Sequence, residues 1–286
     1  MALIANILFP VDFSPSCLAM APYVKRAATL FGAKVTLVHV VDVASYNGFE
    51  LYVRPPSEIS EDQTIIGRER LDQFLADEFP LSGHARILVS GDAATQIAQV
   101  AKSGFDLIIM PTHAGIFRRM LLGSTTAKVL DDVDCPVVTS RHAEAIAPRP
   151  LGHREWLCTI GLGEASERVL RYAHQAAAEA HSTLHIIHAI QANDPSLPIR
   201  LDLQEEIQSE EKQEAGQRIA DLQRRVGSQA PVKIVVGPIK EALLEAARRF
   251  DADLLMIGRG PHSAHGRLRD LTYAVIRDSP FPVLSI

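Results

Sequence analysis

The chain has 286 residues, enough for two domains of ordinary size that each bury a hydrophobic core. Its formal net charge of −5 comes from acids and bases interspersed along the sequence, which argues against a nucleic-acid partner. The longest apolar runs are only of strand length, which argues against a membrane partner, and three cysteines without CxxC spacing are typical of reduced thiols in a cytoplasmic protein.

Short apolar runs rich in β-branched residues alternate with longer amphipathic segments. The runs predict strands at 4–11, 34–41, 85–90, 106–111 and 136–139 in the first half. In the second half they predict strands at 155–160, 183–190, 232–236, 253–258 and 282–285. Because these runs are apolar on both faces, they favour parallel sheets covered by helices. The sequence therefore predicts the α/β class, with two tandem open parallel, Rossmann-like sheets of five strands.

The segments between the strands have helical periodicity. Ser14 and Pro15 predict a helix start, with the serine as N-cap and the proline in the first turn. Pro22 is expected to kink that helix. Residues 203–225 predict a long, solvent-facing helix, and residues 43–58 predict a loop after the second strand.

The two halves repeat one another at a spacing of about 149 residues. Tyr23 aligns with Tyr172, and His39 aligns with His188. Solenoid repeats are only a few tens of residues long, so a repeat of this length indicates two copies of a whole domain. Because the copies differ at polar positions, function is predicted to lie in one half only.

We predict domains at 1–145 and 155–286, with a linker from Arg141 to Arg154. Each copy ends in a β-branched strand at a sheet edge, and bare edges pair readily with other strands. The nearest partner is the equivalent edge of the other half, held close by the linker. We therefore expect an intramolecular pseudo-dimer about a pseudo-twofold axis, and a homodimer of whole chains is an open alternative.

Three segments are predicted to meet at one edge of the first sheet. In open parallel sheets, ligands bind beyond the carboxyl ends of the strands, where the strand order switches. A glycine followed by two hydroxyl residues at a helix start offers donors to a phosphate. The candidate residues come from the ends of the first two strands and from a later helix start: Pro10, Val11, Asp12, Val40, Val41, Gly123, Ser124 and Thr125.

The order of these motifs resembles the universal stress protein family. The motifs that carry the resemblance are Pro-Val-Asp in strand one, Val-His-Val-Val in strand two, Gly-Ser after strand four and Cys-Pro-Val-Val at the last strand. The resemblance implies ATP or another adenine nucleotide as ligand, with no separate metal site. It implies that Asp12 contacts the nucleoside, that the backbone of Val40 or Val41 contacts adenine, and that residues 123–125 contact the phosphates.

Departures from the family pattern are unequal between the halves. In the first half, Pro111 and Ala114 stand where two glycines of the phosphate loop belong. In the second half, Gly161 replaces the aspartate, and Arg269-Asp270 replaces the Gly-Ser pair, so that a carboxylate would repel phosphate. The pattern predicts a nucleotide site in the first half and a degenerate one in the second.

Each of these features has a structural alternative. Asp12 and Ser14 together are also typical of a helix cap, and residues 123–125 of a structural helix start. Four histidines cluster at 174, 181, 185 and 188. Since His188 repeats His39 in a buried strand, a satisfied core histidine is favoured over a metal ligand.

No catalytic residue is predicted. The sequence contains no Gly-x4-Gly-Lys-Ser/Thr loop, no Gly-x-Ser-x-Gly elbow and no HExxH motif, and it offers no acid–base pair for turnover. Together with this absence, the resemblance to the universal stress protein family implies a stress-response binding or regulatory protein modulated by an adenine nucleotide, rather than an enzyme. The alternatives are a nucleotide-independent interaction module, and a slow ATP hydrolase or autophosphorylating protein that uses Ser124 or Thr125 as acceptor.

Overall fold

The computed structural model describes residues 2–41, 56–112, 122–140, 154–191, 201–259 and 267–286. Within these ranges, the side chains at 56–60, 201–204 and 267–270 are not described. The chain divides into two compact units, Met1–Leu151 and Gly152–Ile286. Most of the predicted loop 43–58 and of the predicted linker 141–154 lies outside the described residues.

The first unit alternates strands and helices along its whole length. Its strands are all parallel and lie in the order β3-β2-β1-β4-β5. The elements are β1 (Asn6–Pro10), α1 (Pro15–Phe31), β2 (Lys34–Val41), α2 (Pro56–Gln73), β3 (Ala85–Ser90), α3 (Ala93–Ala101), β4 (Leu107–Pro111), α4 (Ser124–Asp132) and β5 (Val137–Ser140).

The second unit repeats this arrangement, with strands in the order β8-β7-β6-β9-β10. Its elements are β6 (Glu155–Thr159), α5 (Ser166–Glu179), β7 (Thr183–Gln191), α6 (Leu201–Val226), β8 (Val232–Gly237), α7 (Ile239–Arg249), β9 (Leu254–Ile257), α8 (Arg267–Asp278) and β10 (Val283–Ser285). The predicted α/β class is confirmed, and all ten predicted strands form, differing from the predicted bounds by at most two residues.

Helix α1 shows how local sequence fixes the start of an element. The Ser14 side chain accepts a hydrogen bond from the Cys17 backbone N–H, which confirms the predicted N-cap. The helix continues through Pro22, which lies on its exposed face. Pro22 has no N–H for the carbonyl of Leu18, and because Leu18 is also exposed, water can satisfy that carbonyl.

Two further sequence predictions concern helices. The predicted helix at 203–225 is confirmed as α6, which buries Ile219 but leaves Ile207 exposed. The predicted loop at 43–58 was wrong at its end, because α2 already begins at Pro56, where proline is well tolerated in a first turn. Among the described residues, no helix is both long enough and apolar enough to cross a membrane.

A repeated aspartate clamps the first strand of each unit to the strand beside it. Asp106, just before β4, accepts hydrogen bonds from the backbone N–H groups of Ala5 and Asn6, both at 2.9 Å. Asp253, just before β9, does the same for Arg154 and Glu155, at 2.6 and 3.2 Å. These carboxylates therefore hold the amino ends of β1 and β6 against the segments that lead into β4 and β9.

Replacement of Asp106 by alanine is expected to destabilise the protein by about 1.5–3 kcal/mol, the usual range for hydrogen bonds to a charged group. Asp106→Asn retains an oxygen acceptor and is expected to lose less. Urea unfolding of both variants measures the difference. Equal stabilities for Asp106→Ala and the unchanged protein would show that these two hydrogen bonds contribute nothing.

Candidate functional site

The strand order reverses between β1 and β4 in the first unit, which places a crevice at the carboxyl ends of these strands. Strand β1 pairs with β2 on one side and with β4 on the other. The connections leaving β1 and β4 therefore depart from the sheet on opposite faces, as they do in other open parallel sheets. Asp12 follows β1, Val40 lies near the end of β2, and residues 123–125 begin α4.

Asp12 shapes the turn that leaves β1. Its Oδ1 accepts a hydrogen bond from the Ser14 backbone N–H at 3.0 Å and another from the Cys17 thiol at 3.1 Å. Phe13, which lies between Asp12 and Ser14 in the sequence, has a left-handed φ of 65°, which is uncommon for a bulky residue. The Phe13 ring is held against His39, with 4.2 Å between ring centroids. Asp12 thus has a structural role, yet its side chain remains exposed at the crevice.

Cys17 lies beneath this turn. Burial, together with the neighbouring Asp12 carboxylate, raises the pKa of the Cys17 thiol to about 12. Burial alone raises the pKa of Cys158 to about 12. Cys135 is only partly buried. Both buried thiols are therefore protonated at neutral pH and poorly nucleophilic.

In the folded protein, we expect Cys135 to react with a thiol reagent at pH 8 well before Cys17 and Cys158. Raising a thiol pKa by three units lowers its thiolate fraction about 1,000-fold, and burial adds a steric barrier. Mass spectrometry of alkylated peptides over time measures the three rates separately. Equal rates in the folded protein, with denatured protein as the control, would contradict this account of Cys17.

The strand histidines bond the backbone in both units. His39 Nδ1 donates to the Val11 carbonyl at 2.8 Å, and His188 Nδ1 donates to the Ile160 carbonyl at 2.7 Å. Burial lowers the pKa of His39, so its ring is neutral at physiological pH. Within the described part of the chain, no three His, Cys, Asp or Glu residues are placed to hold a metal ion.

The backbone of Val40 faces the crevice. Along a strand, successive residues direct their peptide groups to opposite sides. The Val38 carbonyl accepts from Val11 on the β1 side, whereas the Val41 carbonyl accepts from Gly91 beyond β3. The peptide groups of Val40 therefore point to the β1 side, past Pro10, where β1 has ended. Of the two predicted valines, Val40 can present its backbone to a ligand, and Val41 is committed to β3.

The amino end of α4 supplies the third side of the crevice. Gly123 is the N-cap residue and makes no side-chain capping bond, so the first-turn N–H groups depend on other acceptors. These N–H groups and the helix dipole favour an anion. Lys128 lies on α4 and pairs with Asp92 at 3.5 Å, so its charge is already partly compensated.

A cavity of about 110 Å³ marks where these elements meet. Five of the eight predicted site residues line it, whereas Val41, Gly123 and Ser124 do not. Those five residues are Pro10, Val11, Asp12, Val40 and Thr125. Sequence reasoning missed Val38, Ala93, Ile97 and Met110, apolar residues whose only signal was their position near strand ends and a helix start.

The equivalent place in the second unit holds a larger cavity, of about 390 Å³. Gly161 lines it where Asp12 lines the first, and Gly258 lines it at the end of β9. Asp270 falls in the first turn of α8, and its side chain lies outside the described residues. Ala114, which follows β4 in the sequence, is also outside them.

Comparisons with known proteins agree with this architecture. The model of the universal stress protein family matches residues 4–141 and again residues 155–286. A universal stress protein of Methanocaldococcus jannaschii is 32% identical over 142 residues, which cover 46% of this chain and 79% of the relative. One of Mycobacterium tuberculosis is 26% identical over 262 residues, which cover 88% of this chain and 86% of the relative.

The fold is also shared with a solved structure. The crystal structure of a universal stress protein from Archaeoglobus fulgidus superposes with a TM-score of 0.63 at 20% identity, covering 98% of this chain and 95% of that one. The family model accounts for both units, and the M. tuberculosis relative spans most of the chain. The chain therefore belongs to the universal stress protein family, as a tandem member with two copies of the family domain.

Proposed function

We propose that this protein is a stress-response binding and regulatory protein whose first unit binds an adenine nucleotide, with ATP as the expected ligand. The observation that carries the proposal is the convergence of Asp12, the Val40 backbone and the α4 amino end on one cavity. These groups come from separate segments of the chain, and each offers a different kind of contact.

The three contacts match the three parts of a nucleotide. A carboxylate such as that of Asp12 accepts hydrogen bonds from ribose hydroxyls, because an ionised oxygen is a strong acceptor. The Val40 N–H and C=O offer a donor and an acceptor to the edge of adenine. The amino end of α4 offers N–H groups to phosphate. Family membership supports the same assignment, because many universal stress proteins bind ATP.

The volume of the cavity and the position of Pro111 limit how a nucleotide would be placed in the first unit. A volume of about 110 Å³ is smaller than the ligand pockets of about 300–1,000 Å³ that are typical of proteins. The nucleotide would therefore extend from the cavity along the sheet edge toward α4. Pro111, the last residue of β4, has no N–H to offer a phosphate, which places more of that task on residues 123–125.

Mass spectrometry of the small molecules released by denaturing the purified protein tests the proposal. We expect an adenine nucleotide in the released fraction, or its uptake after incubation of the full chain with ATP. Absence of nucleotide after both treatments would contradict the proposal and favour the nucleotide-independent interaction module. Release of inorganic phosphate during the incubation would instead favour the slow ATP hydrolase.

A further inference from the structure

The second unit contains the larger of the two equivalent cavities, although its polar site residues have been replaced. Its volume is about 390 Å³, compared with about 110 Å³ in the first unit. Ligand pockets in proteins typically have about 300–1,000 Å³, so only the second cavity reaches that range. The unit that lacks the nucleotide pattern therefore has the larger cavity.

Two glycines at equivalent positions open space in the second cavity, although Ile239 and Leu271 are larger than the residues they replace, Ala93 and Thr125. Aligning the strands of the two units places Gly161 opposite Asp12 and Gly258 opposite Pro111. Each of these glycines lines the second cavity, and each replaces a residue with a side chain that lines the first. The same alignment pairs Ser166 with Cys17 and Ala189 with Val40, and both replacements reduce side-chain volume.

The replacements also change the chemistry of the lining. The Asp12 carboxylate is lost at Gly161, and the Thr125 hydroxyl is replaced by the apolar side chain of Leu271. Further apolar lining comes from α5, α7 and the ends of β6 and β9: Ile160, Val169, Ile239, Leu243 and Ile257. A cavity with this lining gains most from excluding water around an apolar surface.

The polar groups around this cavity are few, and two of them are already engaged. The Thr272 hydroxyl donates to the Gly258 carbonyl at 3.1 Å, and His188 donates to the Ile160 carbonyl. Among the described side chains that line the cavity, Glu164 is the only Asp, Glu, Lys or Arg, and it is exposed. A carboxylate at the rim repels anions, so this lining disfavours phosphate.

We propose that the second unit binds a small, uncharged and largely apolar molecule in this cavity. The proposal is independent of nucleotide binding by the first unit and goes beyond it. The tandem chain would then carry two different ligand sites, one polar and one apolar, on two copies of one domain.

Fluorescence titration of the full chain with the uncharged apolar dye N-phenyl-1-naphthylamine tests the proposal. We expect saturable binding of one dye molecule per chain, which excess ATP does not displace. Gly161→Asp places a carboxylate in the cavity. No described atom lies within 4 Å of a Cβ built at Gly161, and its φ is outside the left-handed region, so the variant is expected to fold.

We expect Gly161→Asp to weaken dye binding about tenfold, because a carboxylate beside an apolar ligand loses hydration. Gly161→Asn has the same size without the charge and is expected to lose much less. Ile207→Asp adds a carboxylate to the exposed face of α6 and is expected to change nothing, which controls for dye on the surface.

Three results would overturn the proposal. Unsaturable dye uptake would show that no defined site exists. Equal affinities for Gly161→Asp and the unchanged protein would show that the dye binds elsewhere. Displacement of the dye by ATP would show that the cavity takes a nucleotide instead. Melting temperatures of all three variants, measured in parallel, separate a loss of binding from a loss of folding.

Discussion

Replacing Asp12 with alanine is expected to weaken ATP binding to the full chain by about 10–150-fold. This range corresponds to about 1.5–3 kcal/mol, the typical cost of losing a hydrogen bond to a charged group. The Asp12 side chain is exposed at the crevice, so its carboxylate can meet a ligand from solvent. Isothermal titration calorimetry with ATP measures the change in affinity.

The structural role of Asp12 requires a matched variant. Alanine also removes the acceptor for the Ser14 N–H and the Cys17 thiol, so the turn after β1 is expected to loosen. Asp12→Asn keeps an oxygen at that acceptor position and removes only the charge. We expect Asp12→Asn to keep the melting temperature while weakening ATP binding. A lower melting temperature with unchanged ATP affinity in both variants would mean that Asp12 stabilises the turn after β1 and does not contact the nucleotide.

Replacing Arg86 with methionine is expected to destabilise the protein by about 3 kcal/mol. Its guanidinium donates to the carbonyls of Leu71 and Phe74 through Nη1, at 2.7 and 2.9 Å, and to that of Phe79 through Nη2, at 2.9 Å. The Leu71 carbonyl lies in the last turn of α2 and the Phe74 carbonyl follows directly after it, where the helix dipole is negative. Burial lowers the pKa of Arg86, but the group stays charged at neutral pH.

Arg68→Met is the matched control, because Arg68 is an exposed arginine of α2 that donates a long hydrogen bond, of 3.4 Å, to the Arg86 carbonyl. Such a surface substitution is expected to change the free energy of unfolding by less than about 0.5 kcal/mol. Urea unfolding followed by circular dichroism compares the two variants. If both had the same small effect, the carbonyl cluster around Arg86 would not be a source of stability.

The fold could be predicted because its signals are local and repeated. Strands such as Lys34–Val41 are apolar on both faces, and Tyr23 and His39 recur about 149 residues later as Tyr172 and His188. The start of helix α1 could be predicted from its N-cap residue, Ser14. Each of these signals depends on a few neighbouring residues, so reading the chain in order was sufficient.

The sizes of the two cavities could not be predicted, because volume is a property of residues distant in sequence. Taken singly, the replacement of Asp12 by Gly161 indicates only the loss of a nucleotide contact, and that of Val40 by Ala189 indicates only a smaller side chain. Only the fold brings these positions together at one sheet edge, where the cavity has a volume of about 390 Å³. The choice of Val40 over Val41 likewise depends on which neighbouring strand has already ended, and therefore on the observed register.

Photolabelling of the full chain with 8-azido-ATP, followed by peptide mapping, tests most directly the claim that the first unit binds the nucleotide. The azide reports the position of the adenine ring, so we expect labelled peptides from Met1–Leu151, near Val40, and loss of the label with excess ATP. Labelling confined to Gly152–Ile286, or labelling that ATP does not suppress, would contradict the assignment.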